Sequence, residues 1–307
     1  MIPQSLIEQV VKIALAEDAP WGDLTSQNFI PEAATATAHL VAREPGVFCG
    51  AKVFETVMSA TDAKTSTIFP VEDGASFSAG EILATVTGSA RSVLQAERVA
   101  LNFVQRMSGI ATLTAKYVAE IAGTRARIVD TRKTTPGLRA LERYAVRCGG
   151  GSNHRFSLSD AVMVKDNHLA VLIANSKLGV TDALREARAQ LPHTVHFEVE
   201  VDRIDQIEPV LAAGVDTIML DNFTLEGLRQ GVALVAGRAL VEASGNVNLA
   251  TVGDIARTGV DIISVGALTH SVRALDLGLD IEIDAASSAL SDESRVASSK
   301  LRTRSSK

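Results

Sequence analysis

The chain has little aromatic material, few cysteines and no excess of positive charge. Of its 307 residues only 4% are aromatic, with one Trp and two Tyr, while 46% are apolar. That balance suits an α/β protein whose ample core is built from Ala, Val, Leu and Ile. Only Cys49 and Cys148 are present, so no disulfide framework is implied. The formal net charge is -6 and the pI about 5.6, which argues against general nucleic-acid binding. No apolar run approaches the ~20 residues that span a bilayer. Met1-Ile2-Pro3-Gln4-Ser5 lacks the basic start and apolar core of a secretory signal. These absences lead to the expectation of a cytoplasmic protein with no nucleic-acid or membrane partner.

Against that acidic background, cations are concentrated in a few loops. Asp130-Thr131-Arg132-Lys133-Thr134-Thr135-Pro136-Gly137 follows the apolar Arg127-Ile128-Val129. A second group follows in Gly149-Gly150-Gly151-Ser152-Asn153-His154-Arg155 and Val164-Lys165-Asp166-Asn167-His168. Clustered cations in the loops of an acidic protein imply a small, multiply anionic ligand.

The first part of the chain reads as mixed α and β. Helical spacing covers 5–17 and 51–59, strand patterns cover 35–43 and 80–87, and a long helix is expected over 89–107, ending at Ser108-Gly109. From about residue 113 the pattern changes to short apolar runs, each followed by a helical segment. The runs are 127–130, 161–164, 196–201, 217–220, 239–243 and 261–265. Repeated β-then-α implies a parallel sheet, and six such units favour an α/β barrel of TIM type that is short of eight full repeats. The expected division is 1–112 as an N-terminal α/β domain rejoined by 270–284, 113–269 as the barrel, and 285–307 as a Ser-rich disordered tail.

A parallel barrel gathers the C-terminal ends of its strands at one mouth. Polar residues at those ends here are Asp130, Arg132, Lys133, Lys165, Glu198, Glu200, Asp221 and Asn222. Glu198 and Glu200 alternate about Val199 and so face the same side. They form either a structural salt-bridge network or, in the case of Glu200 with Asp221, a hold on ribose hydroxyls or Mg²⁺. Ser244-Gly245-Asn246 and Gly266-Ala267 follow the last two strands, where small residues let backbone N–H groups approach a phosphate. His154 and Arg155, beside three glycines, suit a carboxylate clamp. His168 reads as a capping or core histidine and is left out of the site.

Taken together, these residues resemble quinolinate phosphoribosyltransferase, the carboxylating nicotinate-nucleotide pyrophosphorylase family. The resemblance runs from Trp21-Gly22-Asp23-Leu24-Thr25-Ser26 through Glu97-Arg98-Val99-Ala100-Leu101-Asn102-Phe103 and Arg106-Met107-Ser108-Gly109. It continues in Asp130-Thr131-Arg132-Lys133-Thr134, Asn153-His154-Arg155, Lys165-Asp166-Asn167-His168, Glu198-Val199-Glu200-Val201 and Leu220-Asp221-Asn222-Phe223. It ends in Ser244-Gly245-Asn246 and Ser264-Val265-Gly266-Ala267.

The resemblance implies an N-terminal α/β sandwich domain and an open α/β barrel. It also implies a homodimer, or a hexamer built of dimers, with Arg106 entering the partner's site. From the residues alone Arg106 is a solvated helix charge. The implied reaction joins quinolinate to phosphoribosyl pyrophosphate with Mg²⁺, releasing pyrophosphate and CO₂. The implied binding set is Arg106, Arg132, Lys133, His154, Arg155, Lys165, Glu200, Asp221, Ser244, Gly245, Asn246, Ser264, Val265 and Gly266, with Lys165, Glu200 and Asp221 as the catalytic centre. Three rivals are a family relative linked to molybdenum transport, a sugar-phosphate lyase or aldolase with a Lys165 Schiff base, and a non-catalytic binding protein for anionic metabolites.

Overall fold

In the strand β1 (Thr35–Ala42) Ala36, Ala38, Leu40 and Ala42 are buried in alternation, the signature of a sheet with one face on a core. A computed structural model describes residues 2–175 and 178–284. The chain divides into two compact units. Among the described residues, the first comprises 2–112, 136–149 and 272–284; the second comprises 113–135 and 150–271. The expected tail from Ala285 onward lies outside the described residues.

The first unit holds helices α1 (Gln4–Asp18), α2 (Leu24–Phe29) and α3 (Ala51–Thr61), and the short pair β2 (Gly46–Val47) and β4 (Ser76–Phe77). Its main sheet is antiparallel, in the order β12 (Leu277–Asp284), β1, β5 (Ile82–Ser89), β3 (Ser66–Ile68). The last described strand thus returns to pair with the first, Leu40 opposite Leu279. Helix α2 is N-capped by Asp23, whose carboxylate accepts from the N–H groups of Thr25 and Ser26. The first unit also holds α5 (Arg139–Cys148).

Helix α4 (Ala90–Glu120) does not end at Ser108-Gly109, as its sequence suggests, but runs through them. These small residues serve close packing rather than termination. Ser108 is fully buried, and its hydroxyl accepts from Cys49 N and donates to Cys49 O. A Cβ on Gly109 would stand 2.3 Å from the Arg273 carbonyl oxygen. At ~1.5 Å per residue the 31-residue helix is about 46 Å long, and the unit boundary falls within it.

The second unit is an open α/β barrel. Its strands are β6 (Arg127–Val129), β7 (Val162–Val164), β8 (Phe197–Val201), β9 (Thr217–Asp221), β10 (Leu240–Ser244) and β11 (Ile262–Ser264). All neighbours are parallel, in the order β6-β11-β10-β9-β8-β7. The first strand thus pairs with the last, and the gap lies between β6 and β7, where Ser152 bridges Val129. Helices α6 (Asp166–Asn175), α7 (Val180–Ala189), α8 (Ile207–Ala212), α9 (Leu225–Val235), α10 (Val252–Ala256) and α11 (Ala267–His270) complete it. Five strands stand in chain order because each helical crossover returns the chain beside the strand it left. Among the described residues no helix is long and apolar enough to cross a membrane.

Candidate active site

The C-terminal ends of the six barrel strands open onto a cavity of about 770 Å³. Arg132, Lys133, His154, Arg155, Lys165, Glu200, Asp221, Ser244, Gly245, Asn246, Ser264 and Gly266 all line it. One residue expected in the site does not, and Arg106 is expected there from the partner subunit. Val265 is buried, and its N–H donates to Val129 O, so its amide belongs to the barrel wall. Arg106 lies on α4 in the first unit, where its guanidinium pairs with the buried Glu142 of α5 at 2.6 Å. That pairing contrasts with the solvated helix charge read from its sequence.

Asp130, fully buried just beyond β6, fixes the cationic loop that crosses the barrel gap. Its Oδ2 accepts from Asn153 Nδ2 at 2.6 Å and its Oδ1 from His154 N at 2.8 Å. Arg155 is held by donating from Nη1 to Ala161 O at 2.8 Å. Burial and the neighbouring Arg132 guanidinium both pull Arg155 below its usual value. Arg132 Nε is buried with no hydrogen-bond partner among the described residues. Two like charges and an orphaned donor in one wall describe a receptor for an anion.

Lys165, just past β7, reaches Glu200 on β8, Nζ to Oε2 at 2.5 Å. His168 caps that turn, accepting from Lys165 N at Nδ1, as its sequence position suggested. Glu198 does not join the Lys165–Glu200 pair. It and Glu242 each place Oε2 3.3 Å from His154 Nε2. His154, in the segment that crosses the gap between β6 and β7, thus reaches strands β8 and β10 of the sheet.

Burial pulls the His154 imidazole down, but hydrogen bonds and charge from Glu198 and Glu242 outweigh it and hold the group up to about 10. Arg155 N donates toward His154 Nδ1 at 2.7 Å, which sets the plane of the ring. Burial also raises Glu242.

Glu242 and His270 also line the cavity and were not singled out from the sequence. Glu242 stands inside the apolar run 239–243, where one acid in an inward register was the available signal.

The end of the cavity beyond β9 and β10 is shaped by tight backbone. Asn222, Gly245 and Asn246 have φ of 57, 90 and 53°, in the left-handed region. Asn222 N donates to Ser244 O, and Asn246 Nδ2 donates to Asn222 Oδ1 at 3.1 Å. A Cβ at Gly266 would stand 3.1 Å from Lys133 Cδ. Asp221 offers one carboxylate oxygen to Asn222 Nδ2 at 2.7 Å.

The whole arrangement offers cations for carboxylates and phosphates beside acids for hydroxyls or a hard cation. Family models for the N- and C-terminal domains of quinolinate phosphoribosyl transferase match residues 23–108 and 110–280. The chain belongs to the quinolinate phosphoribosyltransferase family. It is 45% identical over 277 residues to a carboxylating nicotinate-nucleotide pyrophosphorylase of Mycobacterium leprae, covering 88% of this chain and 95% of that protein. A probable counterpart in Bacillus subtilis is 42% identical, over 87% and 90%. The crystal structure of NadC from Streptococcus pyogenes superposes with a TM-score of 0.86 at 42% identity, covering 91% of this chain and 97% of that one.

Proposed function

We propose that this chain transfers the phosphoribosyl group of phosphoribosyl pyrophosphate to quinolinate and decarboxylates the product, giving nicotinate mononucleotide, pyrophosphate and CO₂ for NAD biosynthesis. The reading rests on one observation above all: Arg132, Lys133, Arg155 and Lys165 share a cavity with Glu200 and Asp221, in a chain whose two domains belong to this family.

Quinolinate carries two carboxylates. Arg132, Arg155 and Lys165 meet them, with His154 packed behind and held in place by Glu198 and Glu242. Lys133 faces the donor's phosphates. The Ser244–Asn246 loop, Ser264 and Gly266 cradle the 5′-phosphate against backbone N–H groups. Glu200 and Asp221 accept from the ribose hydroxyls.

The bond from the anomeric carbon to pyrophosphate breaks as the ring nitrogen bonds to that carbon. Positive charge develops on the sugar, and the carboxylates of Glu200 and Asp221 stabilise it. The ring nitrogen becomes quaternary. The adjacent carboxylate then leaves as CO₂, its electron pair stays on the ring carbon beside the cationic nitrogen, and that carbon takes a proton. Asp221 and Glu200 would supply hard oxygen donors near a substrate-held Mg²⁺, which would neutralise charge on the departing pyrophosphate.

A homodimer or an assembly of dimers is part of the same reading, with Arg106 of the partner subunit closing the quinolinate end. Its support is the family membership. The reading places the enzyme in the cytoplasm, because a multiply charged donor does not cross a bilayer unaided.

A Schiff-base role for Lys165 fits the geometry poorly. Its amine is engaged by Glu200 at 2.5 Å, whereas a Schiff base needs that nitrogen free to attack a carbonyl. The deciding experiment combines the full chain with quinolinate, phosphoribosyl pyrophosphate and Mg²⁺. Equal yields of CO₂ and nicotinate mononucleotide are expected. Tight quinolinate binding with neither product would overturn the proposal in favour of a binding protein.

A further inference from the structure

The chain's two cysteines, distant in sequence, meet in the first unit. Cys49 Sγ, Cys148 Sγ and a carboxylate oxygen of Asp73 all lie within 4.8 Å of one another. Cys49 stands just before α3, Cys148 is the last residue of α5, and Asp73 lies in the turn before β4. We infer that Cys49, Cys148 and Asp73 form a binding site for a thiophilic divalent cation of the Zn²⁺ type, with its fourth position left to water.

Two features of the cluster support this. First, the spacing suits the ion. Zn²⁺ sits ~2.3 Å from thiolate sulfur and ~2.0–2.2 Å from carboxylate oxygen, so tetrahedral ligand atoms lie roughly 3.5–4 Å apart. Small side-chain movements within the observed 4.8 Å reach that geometry. Second, the carboxylate is already aimed. Asp73 Oδ1 accepts from Gly50 N at 2.8 Å and Ala51 N at 3.0 Å, and Tyr144 donates to Oδ2 at 2.8 Å. Outer hydrogen bonds of this kind orient ligands at metal sites.

The sulfur content sets this site apart from the barrel cavity, whose oxygen donors suit Mg²⁺. Cys49 is buried and Cys148 only partly so, which gives an ion a side of approach. A bound ion would tie the start of α3 to the end of α5, the helix whose Glu142 holds Arg106.

The test uses the reduced, metal-free full chain, titrated with Zn²⁺ by calorimetry and with Co²⁺ by absorption. One Zn²⁺ per chain is expected, with proton release, a sulfur-to-cobalt charge-transfer band, and protection of both thiols from iodoacetamide. Cys148→Ala should abolish the band, and Cys148→Ser serves if the alanine variant folds poorly. Tyr144→Phe keeps every ligand and should weaken Zn²⁺ ~10-fold. His154 with Glu198 and Glu242 is a second donor set, so His154→Ala must leave the cobalt band intact. Three results would each overturn the inference: Zn²⁺ binding unchanged in Cys148→Ala, no sulfur band with Co²⁺, or thiols that only oxidise to a disulfide and take up no metal after reduction. None of these depends on catalytic turnover.

Discussion

Lys165 Nζ meets Glu200 Oε2 at 2.5 Å, tying the end of β7 to the end of β8 at the cavity mouth. Lys165 is close to half exposed, and such a pair adds little to stability. Under the proposed function its place is explained by an anionic substrate. Losing one charged partner of a transition state costs about 2–4 kcal/mol, so Lys165→Ala should lower turnover ~100-fold or more. Arg132→Ala should do the same. Thermal unfolding of Lys165→Ala should stay near the parent's. Near-parental turnover in either folded variant would remove these residues from the site.

Gly245 has a φ of 90°, and a Cβ there would stand 2.1 Å from Asn222 Oδ1. Gly245→Ala therefore meets both backbone strain of about 1–3 kcal/mol and a collision with the loop after β9. If this loop holds the 5′-phosphate, KM for phosphoribosyl pyrophosphate should rise ~10-fold, as expected for about 1.4 kcal/mol. KM for quinolinate should change far less. Steady-state kinetics with each substrate varied in turn separates the two, and the reverse pattern would reassign the loop.

The His154 cluster makes stability depend on pH in a definite direction. In the folded chain the imidazole is held up to about 10, against an ordinary value near 6.5. A raised group contributes stability that is full below ~6.5 and lost as pH climbs through about 10. Raised Glu242 acts with the same sign. The urea midpoint should therefore fall between neutral pH and pH ~10, and His154→Gln should flatten that slope. A parent whose midpoint rises over this interval would show that the cluster holds no extra proton.

The barrel was legible in the sequence because each strand is a short apolar run bounded by a turn and followed by helical spacing. The cavity was legible for a related reason: in parallel strands, polar residues just past an apolar run must meet. Glu242 escaped notice because it is enclosed by Leu240, Val241 and Ala243, where composition says core and only inward register says otherwise. His154 reaching both β8 and β10 depends on the curl of the sheet, which no local pattern encodes. The continuation of α4 through Ser108-Gly109 was hidden because small residues mark a close approach as readily as a helix end. Cys49 and Cys148 meet through the placement of α5 in the first unit, a tertiary fact without a sequence signature.

Arg106 offers the sharpest test of assembly. Its guanidinium is tied to buried Glu142 and does not line the cavity of the second unit. If Arg106 of the partner subunit completes each site, Arg106→Ala and Lys165→Ala should each be nearly inactive alone. Dissociated and reassociated together, they should recover activity. In a two-fold hybrid, one site has both defects and the other has none. Random reassociation makes half the dimers hybrids, so recovery should approach about a quarter of parental activity. A residue acting within its own chain gives a different result, because every barrel in the mixture then lacks either Arg106 or Lys165. Mixed variants no more active than their average would place Arg106 in its own subunit's chemistry or outside catalysis altogether.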